Sequence, residues 1–137
     1  MMVFNDKARV GDWVARQVEQ TSSWGGFYAM GVEQDGELVA GVVINNYNGS
    51  NATCHIAITR RTREILTLFR AVCDYAFRQC GLKRLTGMVP ASKPDVIAFD
   101  KHLGFVEEFS MPCAAADGGA LVVLALWPAN CRWLGGK

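Results

Sequence analysis

Residues 51–89 are NATCHIAITRRTREILTLFRAVCDYAFRQCGLKRLTGMV. Over 53–58 the residues are typical of a strand, and over 62–80 apolar residues recur at helical spacing. Gly81 is the expected left-handed end of that helix, and 82–89 is again typical of a strand. Because the second strand follows a crossover helix, we expect it to lie parallel to the first, with a right-handed connection.

Three arginines lie where the first of these strands turns into the helix: Arg60, Arg61 and Arg63. Cations oppose the positive end of a helix dipole, so an ordinary solvated helix start rarely carries three of them. The first amides of a helix also lack partners, and the two features together predict a site for an anionic ligand. Nucleic-acid phosphate is a competing ligand, but a chain of net charge +1 without a wider basic stripe disfavours it.

The composition bounds the class of protein. The chain has 137 residues, of which 50% are hydrophobic and 20% charged, which predicts one globular domain over 1–137. We find neither a secretory signal pattern nor an apolar run approaching ~18 residues, and so expect a cytoplasmic protein without a membrane partner. The five cysteines form no CxxC pair, so we expect free thiols and no metal.

Upstream, the pattern predicts a short strand at Val3 and Phe4, a helix over 6–20, and strands over 27–34 and 37–47. Gly11 lies inside this helix and is able to split it. Asp35-Gly36 and Asn48-Gly49 are typical of tight hairpin turns, so the strands are expected to form a meander that continues into 53–58. The residues VAGVVI within the second long strand are apolar on both faces, which indicates a strand covered on both sides.

Downstream, Ser92 is the expected cap of a second helix, with Pro94 in its first turn and Asp95 answering the cap. That helix is expected to end at Gly104. A final hairpin over 105–111 and 121–127 precedes a short tail, 128–137. The order is meander, helix, strand, helix, hairpin, which indicates a mixed α/β (α+β) sandwich.

This order resembles the GNAT superfamily of acyl-CoA N-acyltransferases over roughly 27–127. Its most specific part is GLKRLTGMVPASKPDVIAFDKHLGFVEEF, residues 81–109, which is similar to the family's glycine stop, strand, short helix and "lysine-x-Leu-Gly-Phe" passage. Taken as a whole, the sequence is most similar to small GNAT-like proteins of phages and prophages. The resemblance implies a mainly antiparallel mixed sheet with helices on both faces.

The resemblance also implies acetyl-CoA as co-substrate, held at the end of the fourth strand and the start of the next helix. The family's pyrophosphate motif, Arg/Gln-x-x-Gly-x-Gly/Ala, falls on 61–66, where Arg61 matches and Glu64 and Leu66 stand in place of glycines. The expected ligand residues are Arg60, Arg61, Thr62 and Arg63, together with Ile56 and Ile58. The two isoleucines either present backbone N–H groups to the thioester oxygen or fill the core.

Two residues are candidate bases. His55 precedes the basic turn, and the ordinary pKa of histidine suits a general base near neutral pH. A structural histidine bonded to a neighbouring backbone group is the simpler interpretation. Glu33 lies where relatives often carry a base, or is a solvated edge carboxylate. The family's helix asparagine and tyrosine positions are Lys93 and Asp100, so no general-acid tyrosine carries over.

Two further asparagines, Asn45 and Asn46, interrupt the central strand. They either orient an amine or begin the turn at Asn48. An exposed sheet edge and the tail tryptophans, Trp127 and Trp133, favour a homodimer.

The leading hypothesis is transfer of an acetyl group from acetyl-CoA to a primary amine on a small molecule or peptide. The alternative is a GNAT-fold protein of phage or prophage origin that lacks catalysis and serves as a binding or structural module. The replaced glycines and the missing tyrosine favour this alternative.

Overall fold

The computed structural model describes residues 1–134. This part of the chain forms one seven-stranded sheet. Its strands are β1 (Met2–Val3), β2 (Phe27–Gln34), β3 (Glu37–Asn45), β4 (Asn51–Ile58), β5 (Arg84–Pro90), β6 (Val106–Met111) and β7 (Leu121–Leu126). The helices are α1 (Lys7–Val18), α2 (Glu64–Cys73) and α3 (Pro94–Leu103). The strand order is β1-β2-β3-β4-β5-β7-β6.

The predicted parallel pair is confirmed, and it is short. β4 and β5 pair from Asn51↔Arg84 to Thr53↔Thr86, whereas the antiparallel pairing of β4 with β3 continues to Ile58. The second half of β4 therefore pairs with β3 but no longer with β5. The two strands diverge in the middle of the sheet, and this divergence positions the candidate site.

Helices cover both faces of the sheet, as expected. Val10 and Val14 of α1 pack with Ala57 of β4 on one face, while α2 and α3 pack on the other face with Cys54. Gly41 of β3 allows α1 to approach, because a Cβ there would lie 2.8 Å from Val14 Cγ2. β3 is buried from Leu38 to its end, which confirms a strand covered on both sides.

The first hairpin is confirmed in its turn and in the bounds of its first strand. β2 has the predicted bounds, and Asp35 and Gly36 have φ values of 55° and 80°. The Asn48-Gly49 prediction is wrong in detail, because β3 ends at Asn45. Asn48 instead holds a longer loop, where its Oδ1 accepts from the N–H groups of Ser50 and Asn51 at 3.0 and 2.8 Å.

Several of the predicted helix features differ from those in the structure. α1 continues through Gly11 without a break, and the helix predicted over 62–80 begins at Glu64 and ends in a π-helical turn, Asp74–Gln79. Ser92 does not cap α3, because the capping position is Lys93 and Ser92 Oγ donates to Asp117 Oδ2 at 2.7 Å. Gly104 ends α3 with φ of 117°, as predicted.

The tail folds back on its own domain. Trp133 is half-buried, donates from Nε1 to Leu103 O at 2.7 Å and contacts the ring of Phe69 edge-on. Residues 135–137 of the predicted tail lie outside the described part of the chain. No helix among residues 1–134 is long and apolar enough to cross a bilayer.

Candidate active site

Two cavities with shared lining residues lie side by side where β4 diverges from β5. The first, which we call the arginine-side cavity, has a volume of about 240 Å³ and lies between the end of β4 and α3, with Arg60 and Arg61 in its wall. The second, the histidine-side cavity, has a volume of about 390 Å³ and is lined by His55, the end of α1 and the end of β5. Four residues line both cavities: Ile56, Ile58, Val96 and Asp100.

The backbone of β4 presents unpaired N–H groups to this opening. Thr59 N–H donates to Val39 O of the β3 side at 2.9 Å. Hydrogen-bonded and non-hydrogen-bonded pairs alternate along an antiparallel ladder, so the pairs Ile56↔Val42 and Ile58↔Ala40 are non-hydrogen-bonded. The N–H groups of Ile56 and Ile58 therefore point away from β3, toward the side that β5 has left.

Two of the three predicted arginines reach the cavity wall. The Arg61 guanidinium lies 4.9 Å from the centre of the Phe99 ring, and Arg60 Nη1 donates to Gln34 Oε1 at 2.9 Å. Thr62 and Arg63 are not brought to the cavity: Thr62 Oγ1 accepts from the N–H of Glu64 at 3.2 Å, and Arg63 is exposed.

The amides at the start of α2 already have partners. Besides Glu64 N–H, the N–H of Ile65 donates to Thr62 O at 3.3 Å and that of Leu66 to Arg63 O at 3.2 Å. The Glu64 carboxylate contacts the Met1 amino group at 2.8 Å and does not line the cavity. An anion at this turn would therefore meet guanidinium groups and would find the N–H groups of Glu64, Ile65 and Leu66 already bonded.

His55 lies on the wall of the histidine-side cavity and is held from two directions. Its Nε2 lies 2.9 Å from Asn45 Oδ1, and its ring packs 4.6 Å from that of Trp24. Asn45 Nδ2 donates to Trp24 O at 3.1 Å, so Asn45 Oδ1 is the acceptor and Nε2 of His55 carries the proton. Burial lowers the pKa of His55 from 6.5 to about 4. The partner of this histidine is thus a side-chain amide.

Glu33 lies away from the opening. Its Oε1 accepts from Arg9 Nη1 at 2.7 Å, and it lines a shallow surface hollow with Met1 and Asp35. Glu33 is therefore neither a free edge carboxylate nor a neighbour of the two cavities.

The sequence predicted no role for Asp100, which stands at the family's tyrosine position. Its exposure is only 4%, its Oδ1 has no hydrogen-bond partner, and burial raises its pKa from 3.8 to about 7. One available signal was its place on the apolar stripe of α3, where Val96, Asp100 and Leu103 recur at helical spacing.

Similarity to known proteins lies in the fold. Neither a protein-family model nor a curated protein matches the chain. A chimera of spermidine N-acetyltransferase SpeG from Vibrio cholerae and hSSAT matches with a TM-score of 0.75 and 13% identity, covering 94% of this chain and 96% of that one. A second chimera of the same two proteins covers 99% of both chains, with a TM-score of 0.73 and 16% identity.

A point mutant of the same Vibrio cholerae enzyme gives a third match. Its TM-score is 0.74 at 15% identity, and the match covers 98% of this chain and 96% of that chain. The chain therefore has the GNAT fold of these N-acetyltransferases, with a mixed, mostly antiparallel sheet and helices on both faces.

Proposed function

We propose that residues 1–137 form one acyltransferase domain that moves an acetyl group from acetyl-CoA to a primary amine. The observation that carries this proposal is the opening between β4 and β5, which gives access to the same reacting point from two cavities. Transfer between two bound substrates needs this geometry, because the donor and the acceptor must approach one carbonyl carbon from different sides.

The arginine-side cavity suits the chemistry of acetyl-CoA. Arg60 and Arg61 supply cations for the pyrophosphate, and Ile56 and Ile58 supply an apolar wall. The unpaired N–H groups of the same isoleucines are placed to donate to the thioester oxygen, as in an oxyanion hole. Thr62 and Arg63 lie on the same turn outside the cavity, where Arg63 adds attraction for the diphosphate at longer range.

The histidine-side cavity is the proposed acceptor site. The SpeG proteins that share this fold are named for spermidine, a small-molecule amine, and we propose a small-molecule or peptide amine here as well. Of the two predicted bases, His55 lines this cavity and Glu33 does not.

We propose the cytoplasm as the place of action. The exposed edge strand β6, with Phe109 at 53% exposure, remains a surface for a homodimer.

The second candidate is a GNAT-fold binding or structural protein without catalysis, of phage or prophage origin. The bonded amides at the start of α2 favour it, since Glu64 and Leu66 replace the glycines that would let a diphosphate approach the backbone.

Calorimetric titration with acetyl-CoA tests the first requirement of the transferase, which is binding of the acetyl donor. We expect binding by the wild type and about tenfold weaker binding by Arg61→Ala, from loss of one charge-assisted contact worth about 1.5 kcal/mol. Arg70→Ala is the matched control, because Arg70 is exposed on α2 and does not line the cavity. Absence of heat and of thermal stabilisation at millimolar acetyl-CoA would refute the transferase. Equal binding by both variants would show that the pyrophosphate lies elsewhere.

A further inference from the structure

We propose that Asp100 is a proton relay that takes the proton from the acceptor nitrogen and gives it to the departing sulfur. This inference rests on the proposed acetyl transfer and assigns a catalytic residue to it. It is carried by a juxtaposition: one buried carboxyl, with an unpartnered Oδ1, lines both cavities beside the divergence of β4 and β5.

An unpartnered buried carboxyl oxygen needs an explanation. Native structures pair most buried polar side-chain atoms, and leaving one unpaired costs free energy. Asp100 lies on the face of α3 that also carries Val96 and Leu103, so the helix directs it into the divergence of β4 and β5. A substrate that enters the opening would supply the partner that Asp100 lacks within residues 1–134.

The reaction requires one proton to change places. The acceptor nitrogen attacks the carbonyl carbon of acetyl-CoA as the neutral amine, after its ammonium form has lost one proton to water, so an N–C bond forms and the C–S bond breaks. The nitrogen must lose one proton, and the sulfur leaves as a thiolate that must gain one. A carboxylate between the two cavities accepts the proton from nitrogen and then donates it to sulfur, which returns Asp100 to its starting state without any further reactant.

The charged and titratable groups around Asp100 fit this role. The groups that line the cavities with Asp100 are Cys54 and His55 from β4, Arg60 and Arg61 from the turn before α2, Lys93 and Asp95 from the start of α3, and Glu19 from the end of α1. His55 is held by Asn45, and burial disfavours its charged form. Burial also raises the pKa of Asp100 to about 7, which suits a group that must take and give a proton near neutral pH.

The decisive variant is Asp100→Asn, which keeps the shape of the side chain and removes its proton chemistry. The assay follows thiol release from acetyl-CoA in the presence of spermidine or of a lysine-containing peptide. We expect kcat to fall by roughly 10²–10⁴-fold, while the Kd for acetyl-CoA stays within about twofold. Wild-type kcat should rise as pH passes 7, and the variant should lack that rise. Asp12→Asn, an exposed position on α1, is the control.

Carbon NMR of the aspartate-labelled protein gives a readout independent of turnover. We expect one carboxyl signal that titrates near pH 7 and is absent from Asp100→Asn. Titration of that signal below pH 5 would overturn the relay, and so would unchanged kcat in the variant, although the transferase would stand. Failure of the wild type to bind acetyl-CoA, or binding without thiol release, would overturn the transferase and the relay together.

Discussion

His55 and Asp100 face the same opening from β4 and from α3, and burial shifts their pKa values in opposite directions. The pKa of His55 is lowered to about 4 and the pKa of Asp100 is raised to about 7. Both side chains are therefore neutral between these two pH values. They differ in their partners: Asn45 and Trp24 hold the imidazole, whereas Asp100 Oδ1 has no partner. Burial shifts both pKa values, yet we infer different roles for the two residues. His55 is a fixed part of the cavity wall, whereas Asp100 is free to contact a substrate.

The largest expected effect is on stability as a function of pH in Asp100→Asn. A carboxyl with a raised pKa in the folded state stabilises fully below its unfolded pKa, and this contribution is lost as pH rises to the folded pKa. The interval is 3.8 to about 7, so the wild type should lose at most about 4 kcal/mol relative to the variant between pH 4 and pH 8. Urea unfolding at a series of pH values measures the difference.

Asp12→Asn provides the control for this titration, because Asp12 is exposed on α1. Its stability should follow the wild type at every pH. A constant difference between the wild type and Asp100→Asn would mean that Asp100 is ionised throughout, and the contrast with His55 would disappear.

The second effect is of opposite sign and comes from His55→Gln. A histidine with a lowered folded pKa contributes stability that is present above its unfolded pKa and is lost as pH falls. The wild type should therefore lose at most about 3 kcal/mol relative to the variant between pH 6.5 and pH 4. If His55 fixes the wall and Asp100 carries the proton, the pH profile of turnover should survive in His55→Gln. Loss of that profile would make His55 the base.

The sequence predicted the frame of the site well, because local chemistry determines it. Asp35 and Gly36 take positive φ values in the turn they specify, and this sets the register of β2 and β3. The glycine stop and crossover helix predicted that β5 is parallel to β4, and the position of Arg61 in the cavity wall follows from the same stretch.

The sequence did not reveal the burial and the missing partner of Asp100, or the true partner of Ser92, because both depend on tertiary contacts. Helical spacing places Asp100 on an apolar stripe, but its missing partner results from the divergence of two strands that pair only as far as Thr53. Ser92 and Asp95 match a capping pattern, yet Asp117 binds the Ser92 hydroxyl from 25 residues away. A motif cannot encode a competing partner at that separation.

The smallest expected effect is that of Asn45→Ala, which tests how the His55 ring is held in place. Asn45 is 6% exposed and connects the histidine to the backbone of Trp24, so Asn45→Ala leaves Trp24 O without this donor and frees the ring. We expect a loss of about 2 kcal/mol in unfolding free energy, with Asn5→Ala, an exposed position, as the control. Because part of the burial is relieved, the pKa of His55 should rise toward its ordinary value, which proton NMR of the ring would measure. An unchanged His55 titration would mean that Trp24 alone holds the ring, and the contrast between the two sides of the opening would then rest on packing and not on hydrogen bonding.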